Sequence, residues 1–223
     1  MTHNTKALKE RVIAADRVVR ETLQTSGPDA QFGRKTGDLG KLYQGNYYYD
    51  QALLCYRLAM ELDSKNPHWP YLLASVLQER GENESARGLL ERTIEFAPDY
   101  SPAWLKLADS YFKTGNTEKA RFYYESRLTL SSGDPYALLG LGRIALERPE
   151  WETAQACLQR AIEKDPSFGD AYRLIATVYE HFGRLEEMNL ALDRAALCPP
   201  FRQAPDPWID ALADLCYETE QLL

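Results

Sequence analysis

The chain has 223 residues, 44% hydrophobic and 26% charged, a globular composition that excludes disorder over most of its length. Its net charge of -7 disfavours phosphate backbones, so nucleic acid is not an expected partner. No apolar run approaches the roughly 20 residues of a membrane span.

The N-terminal MTHNTKALKE lacks the charged-then-apolar layout of a secretory signal. Residues 5–24 read as one amphipathic helix. Leu8, Val12, Ala15, Val19 and Leu23 share one face, and Lys6, Lys9, Arg11, Arg17 and Arg20 the other. A basic amphipathic helix suits a partner or a membrane surface. A face rich in Ala and Val without an aromatic argues against membrane contact and for a cap on the element that follows. Residues 25–32, containing Ser26-Gly27-Pro28-Asp29, read as a linker.

A 34-residue period then runs through the chain. Ala52, Ala86, Ala120 and Ala154 are each 34 residues apart, and the next step lands on Met188. Twelve residues earlier stand Gly40, Ala74, Ala108, Gly142 and Ala176, each preceded by Leu39, Leu73, Leu107, Leu141 or Ile175. Four residues after the alanine column come Tyr56, Leu90, Tyr124, Leu158 and Leu192, then Ala59, Thr93, Arg127, Ala161 and Ala195. Each unit carries two apolar stripes at helical spacing, and the small columns permit close helix crossing. Gly81, Gly115 and Gly183 mark the turn between the helices, where Pro149 stands in the fourth unit. Pro98, Pro166 and Pro200 end units; Ser101-Pro102 and Asp134-Pro135 read as an N-cap followed by proline at the first helical position. A unit of this kind cannot cover its own apolar face, so units stack into a solenoid.

Beyond the repeats, four prolines between Pro199 and Pro207 make an extended segment. Asp206 and Pro207 then begin a capping helix within 203–223. Trp208, Leu212, Leu215 and Leu222 face inward, Asp210, Asp214, Glu218 and Glu220 outward, and Phe201 and Trp208 serve as core anchors.

This pattern resembles the tetratricopeptide repeat (TPR) family, most clearly in Trp104-Leu105-Lys106-Leu107-Ala108 followed by Tyr111, Gly115, Ala120 and Tyr124. The resemblance implies an all-α, right-handed superhelical solenoid of five repeats at 33–66, 67–100, 101–134, 135–168 and 169–202. Thr36 replaces the aromatic of repeat one, and Met188 the tight alanine of repeat five; looser or altered packing is expected at both ends. Arg127, in a small-residue column, is expected to lay its stem along apolar surface with its head in water.

Catalytic patterns are missing. Gly37-Asp38-Leu39-Gly40-Lys41 lacks the earlier glycine and the following Ser or Thr of a P-loop, and Gly140-Leu141-Gly142 falls inside a repeat helix. His3, His68 and His181 are too far apart to converge on a metal. Glu150/Glu152 and Glu186-Glu187 read as solvated faces near turns. Cys55, Cys157, Cys198 and Cys216 form no CxxC pair and read as buried free thiols, suiting a reducing compartment such as the cytoplasm. No enzyme activity, cofactor or metal is expected.

The resemblance further implies a concave groove lined by the first helix of each repeat, where a protein partner binds as an extended peptide or helix. Arg34 and Lys41 would face it from repeat one; His68, Tyr71, Ser75 and Gln78 from repeat two; Leu105, Lys106, Asp109 and Phe112 from repeat three. Repeat four would add Tyr136, Leu139, Arg143 and Leu146, and repeat five Asp170, Arg173 and Thr177. Tyr71, Phe112, Tyr136, Leu139 and Leu146 would make an aromatic and apolar strip, with Arg143 and Arg173 beside it to grip a carboxylate. The family's Lys/Asn/Arg clamp for acidic chaperone tails survives here only in fragments. A non-catalytic adaptor or scaffold is the leading reading. Residues 1–35 carry a net +3 and residues 150–223 a net -8, which keeps head-to-tail self-assembly as an alternative. A second alternative is a substrate-docking module of a larger multidomain protein.

Overall fold

A computed structural model describes residues 2–199 and 203–216. Its helices in chain order are α1 (Thr2–Ser26), α2 (Ala30–Gly45), α3 (Tyr49–Leu62), α4 (His68–Glu79), α5 (Asn83–Phe96) and α6 (Ser101–Lys113). They continue with α7 (Thr117–Leu130), α8 (Pro135–Glu147), α9 (Trp151–Lys164), α10 (Gly169–His181), α11 (Leu185–Leu197) and α12 (Pro207–Asp210), followed by a 3-10 turn at Ala213–Leu215. Among the described residues there is no strand. The helices pair α2 with α3, α4 with α5, and so on to α10 with α11, one pair per repeat. The chain divides into two compact units: residues up to Pro98 with the segment from Pro205 onward, and Asp99–Ala204.

The 34-residue columns are the packing surfaces. Ala52, Ala86, Ala120 and Ala154 are fully buried, as are Tyr56, Leu90 and Leu158 in the column that follows them. Each such leucine contributes about 1.5–3 kcal/mol by leaving water. The glycines of the other small column bring helices into contact. A Cβ on Gly40 would lie 2.8 Å from the Tyr56 ring, and one on Gly142 2.9 Å from Leu158. The helix ends are capped locally. Asp29, Asn116 and Asp134 accept from the backbone N–H of Phe32, Lys119 and Ala137. The cap of α6 falls on Tyr100, one residue before the expected Ser101. The interhelical turn glycines adopt positive φ, and in repeat one that position is held by Tyr47 at φ 65°.

In the first unit, α1 packs on α2. Leu8 is buried, and Val12, Ala15 and Val19 are half-buried, whereas Leu23 is exposed and Thr22 is buried instead. Packing at repeat one is altered rather than looser. Trp69 of repeat two fills the space left by the missing aromatic: a Cβ on Gly37 would sit 2.4 Å from its ring. The Trp69 indole N–H donates to Asp63 at 3.0 Å, which fixes the ring.

In the second unit, the Leu138–Leu158–Ile175 core runs through α8, α9 and α10. Repeat five does loosen. Leu192 is 45% exposed where Leu90 and Leu158 are fully buried, and Met188 is only half-buried. Arg127 departs from expectation: its head is buried, not in water. Its Nη2 donates to the buried Asp134 carboxylate at 2.5 Å, while Nε and Nη1 are buried without a partner. The same Asp134 caps α8, so one carboxylate joins the end of α7 to the start of α8.

The C-terminal segment differs most from the sequence reading. Its described part is one turn of helix and a 3-10 turn, not a continuous capping helix, and it packs on α4 and α2 of the first unit. Phe201, Leu222, Glu218 and Glu220 lie outside the described residues.

Candidate interaction surfaces on the first-helix faces

In the first unit the relevant side chains come from α2 and α4. Tyr71 and Ser75 are buried; Lys41, His68 and Gln78 are half-buried, and Arg34 is exposed. Ser75 is held by a relay inside the unit. The Tyr56 hydroxyl donates to Gln44 Oε1 at 2.8 Å, Gln44 Nε2 donates to Ser75 Oγ at 2.8 Å, and Ser75 Oγ donates to the Leu72 carbonyl at 2.8 Å. That relay commits Ser75 to positioning α4 against α2.

Tyr71 and His68 are engaged by the C-terminal segment. The Tyr71 hydroxyl donates to Asp206 Oδ2 at 2.5 Å. The His68 ring stacks on the Trp208 indole at 3.9 Å between centroids, and Tyr71 meets the same indole edge-on at 5.3 Å. Farther along, Asn46 Nδ2 donates to the carbonyls of Leu42 and Leu215, both at 2.8 Å. Leu212 is buried, and its carbonyl lies where a Cβ on Gly45 would come within 2.8 Å. Asp206 stands at the N-cap of α12 but makes no side-chain cap bond; its carboxylate is turned to Tyr71. Burial, followed by the nearby Lys41 charge, holds the His68 imidazole below its ordinary range, with Asp38 opposing.

In the second unit the face is built by α6, α8 and α10. Leu105 and Leu139 are buried and belong to packing. Lys106, Asp109, Phe112, Tyr136, Leu146 and Asp170 are half-buried, and Arg143, Arg173 and Thr177 are exposed. The Arg143 guanidinium sits 5.0 Å from the centre of the Phe112 ring, bringing two of the expected residues together. Arg173 pairs with Asp170 at 2.5 Å on its own helix, a contact of little energetic weight at the surface. The Tyr136 hydroxyl donates to the Gln203 carbonyl at 3.1 Å, and its ring packs against Phe168.

Beneath this face Asp109 accepts from the Tyr124 hydroxyl at 2.6 Å. Burial pushes the Asp109 carboxyl above the ordinary carboxylate range, while the Tyr124 bond and the charges of Lys113, Arg143 and Lys106 pull it back. The Tyr124 hydroxyl is raised in turn, chiefly by burial and then by Asp109.

Other candidate chemistry stays dispersed. The four cysteines are free and half-buried rather than fully buried, with burial pushing the Cys55 thiol up to about 11. His181 stacks on Trp151 at 3.9 Å. Among the described residues no three His, Cys, Asp or Glu side chains group as metal ligands, and no helix is long and apolar enough to cross a membrane. Glu187 pairs with Arg184, and Glu150 with Arg121 at 3.4 Å.

The sequence turns Trp208, Leu212 and Leu215 inward but does not show that the C-terminal segment returns to α4 and α2. The signal present was the spacing Asp206-Pro207-Trp208 after a proline-rich stretch, which local rules read as a helix cap.

Comparison with known proteins agrees with this architecture. The tetratricopeptide repeat family model matches residues 71–137 and 139–206, more than half of the chain. Tetratricopeptide repeat protein 34 of Homo sapiens is 34% identical over 113 residues, 50% of this chain and 19% of that protein. Tetratricopeptide repeat protein 21A of Mus musculus is 26% identical over 139 residues, 57% of this chain and 10% of that protein. The chain therefore spans a fifth or less of these relatives' lengths. Among solved structures, YrrB, described as a TPR protein with an unusual peptide-binding site, superposes with a TM-score of 0.66 at 18% identity over 92% of this chain and 98% of its own. MamA superposes with a TM-score of 0.67 at 19% identity over 78% of this chain and 98% of its own. The chain belongs to the tetratricopeptide repeat family, and its all-α helix pairs are TPR units.

Proposed function

We propose that this protein is a non-catalytic interaction scaffold whose second unit holds a peptide or helix of a partner protein on the α6–α8–α10 face. The observation that carries this reading is the division of labour on that face. Leu105 and Leu139 are buried in packing, while Phe112 and Leu146 remain half-open, with Arg143 over the Phe112 ring, Lys106 on α6 and Arg173 on α10. Apolar side chains next to cations suit a partner segment that combines large hydrophobic residues with carboxylates. A preformed helical face lowers the ordering cost on one side of the complex. YrrB's peptide-binding site is a parallel at the level of the fold.

The test is affinity capture from native extract with the wild type and a Phe112→Ala/Arg143→Ala/Arg173→Ala variant, with folding checked by circular dichroism. These side chains lie half-buried or exposed, so the variant should fold. A partner lost only in the variant supports the face. A partner kept by both overturns it.

Self-assembly is a second reading, favoured by α11. Leu185, Leu190, Leu192 and Leu197 are 45–80% exposed there, beside Glu186, Glu187 and Asp193. Ile13 and Val18 are exposed on α1 among Arg11, Arg17 and Arg20. Apolar residues inside opposite charges suit a head-to-tail contact between copies. Light scattering that shows a constant monomer mass at every protein and salt concentration sinks this reading.

A further inference from the structure

The α2–α4 face of the first unit is shaped around a short acidic-aromatic turn. Three separate contacts are complementary to the backbone and side chains of the segment from Asp206 to Leu215. Tyr71, itself buried, offers its hydroxyl to a carboxylate. His68 and Tyr71 form two walls around an indole, one stacked and one edge-on. Asn46 and Gly45 receive the next turn: the amide takes the Leu215 carbonyl, and the missing Cβ leaves room for the Leu212 carbonyl. On the tail side, the Asp206 side chain makes no cap bond; the start of its helix is closed instead by Asp210, whose carboxylate accepts from the Asp206 backbone N–H at 2.9 Å, and the Asp206 carboxylate is turned to Tyr71. Local helix chemistry therefore does not explain the position of that carboxylate, but the receiving face does.

We propose that this face is a recognition site for an Asp-Pro-Trp turn, and that the chain's own Asp206–Leu215 segment is a displaceable occupant of it. The outside partner it fits is a protein segment with a carboxylate two residues before a tryptophan, fixed by an intervening proline and followed by an apolar turn. Proline and tryptophan bring little flexibility, so such a segment binds at low ordering cost. A tethered occupant competes at an effective concentration of roughly millimolar. Outside partners therefore gain access when the tail is released or outnumbered. This site is independent of the α6–α8–α10 face, and its test reads a different surface.

The test uses the full-length chain and a fluorescein-labelled synthetic peptide of residues 204–216. Anisotropy titrations compare the wild type with an Asp206→Ala/Trp208→Ala double variant, whose own tail can no longer fill the site. Far-UV circular dichroism establishes that the variant is folded. The double variant should bind the peptide saturably and at least tenfold more tightly than the wild type. A peptide with alanine in place of its tryptophan should not bind. In the double-variant background, Tyr71→Phe should weaken the peptide several-fold by removing the hydroxyl donor. Gly45→Ala, which by itself favours helix, should weaken it by closing the space for the turn. Equal binding to wild type and folded double variant overturns the proposal. So does equal binding of the tryptophan-free peptide, or indifference to both Tyr71→Phe and Gly45→Ala. Loss of partner capture by the Phe112/Arg143/Arg173 variant leaves this result unaffected, so the two readings fail separately.

Discussion

The two units present the same helix face in different conditions. In the first, α2 and α4 carry a segment of the chain's own C-terminal region, held by Tyr71, His68 and Asn46. In the second, α6, α8 and α10 keep Phe112 and Leu146 half-open, with Arg143 over the Phe112 ring and Arg173 exposed on α10. The repeat columns beneath are nearly the same in both: alanines at 52, 86, 120 and 154 are all fully buried. The period therefore decides the scaffold, and the residues between the columns decide what each face does.

The largest expected effect comes from the column position where repeat three departs in kind. Repeats one and two place Ala59 and Thr93 where repeat three places Arg127, buried against Asp134. Asp134→Ala should destabilise the second unit by about 3–5 kcal/mol, because it strands a buried guanidinium and also removes the α8 cap. Arg127→Ala, matching Ala59, should cost clearly less, since the remaining carboxylate keeps its cap bond to Ala137. Chemical denaturation monitored by circular dichroism checks the order. A loss from Arg127→Ala as large as that from Asp134→Ala would overturn this order.

A device shared by the units gives the next effect. Gly37 lies under the Trp69 ring and Gly140 under the Tyr124 ring, with a Cβ at 2.4 and 2.3 Å from the nearest ring atoms. Either Gly→Ala change should cost about 1–3 kcal/mol by overpacking, despite alanine's better helix propensity. The thermal midpoints of the two variants measure it. A stabilised Gly37→Ala would show that the Trp69 ring can move aside, and hence that repeat one is looser than its second-unit counterpart.

How legible all this was in the sequence depends on the range of the interactions. The alanine and glycine columns, the helix pairs and the turns follow from local spacing, and they stand where the 34-residue period puts them. Looser packing at repeat five was also readable, from Met188 in the alanine column. What was not readable were contacts set by residues far apart in sequence. Trp69 repairing repeat one needs a neighbour 32 positions from Gly37 to point a particular way. The Arg127 head was expected in water because the pattern shows a column, not the carboxylate seven residues on that meets it. Tyr71 was placed in an open groove, and no local rule reveals a partner 135 residues away. Composition and period say nothing about where a tail returns.

A smaller and opposite effect is expected at the Tyr47 turn. A non-glycine residue at φ 65° costs about 1–2 kcal/mol in the left-handed region, where the second unit uses Gly115 and Gly183. Tyr47→Gly should recover part of that, less the contact between the Tyr47 and Tyr49 rings. A higher thermal midpoint is the expected result, and a lower one would assign the turn's stability to the rings.

The smallest effects are the pH responses, and they run in opposite directions in the two units. His68 has a lowered imidazole pKa, so below 6.5 the unfolded chain binds the proton first. Stability in the first unit should therefore rise with pH between that lowered value and 6.5, and acid should loosen the His68–Trp208 stack. Asp109 has a raised carboxyl pKa, so above 3.8 the folded chain still holds a proton that the unfolded chain has released. Its contribution to the second unit should fall as pH rises between 3.8 and the raised value. Asp109→Asn keeps an oxygen to accept from Tyr124 and has no charge to bury. It should be more stable than the wild type at neutral pH and should remove that part of the pH dependence, while the Trp208 fluorescence response to acid stays as in the wild type. His68→Gln should do the reverse. Denaturation midpoints from pH 4 to 8, read alongside tryptophan emission, separate the two. A single variant that abolished both responses would show that one titrating group governs both faces, and the two units would then have to be treated as one electrostatic system.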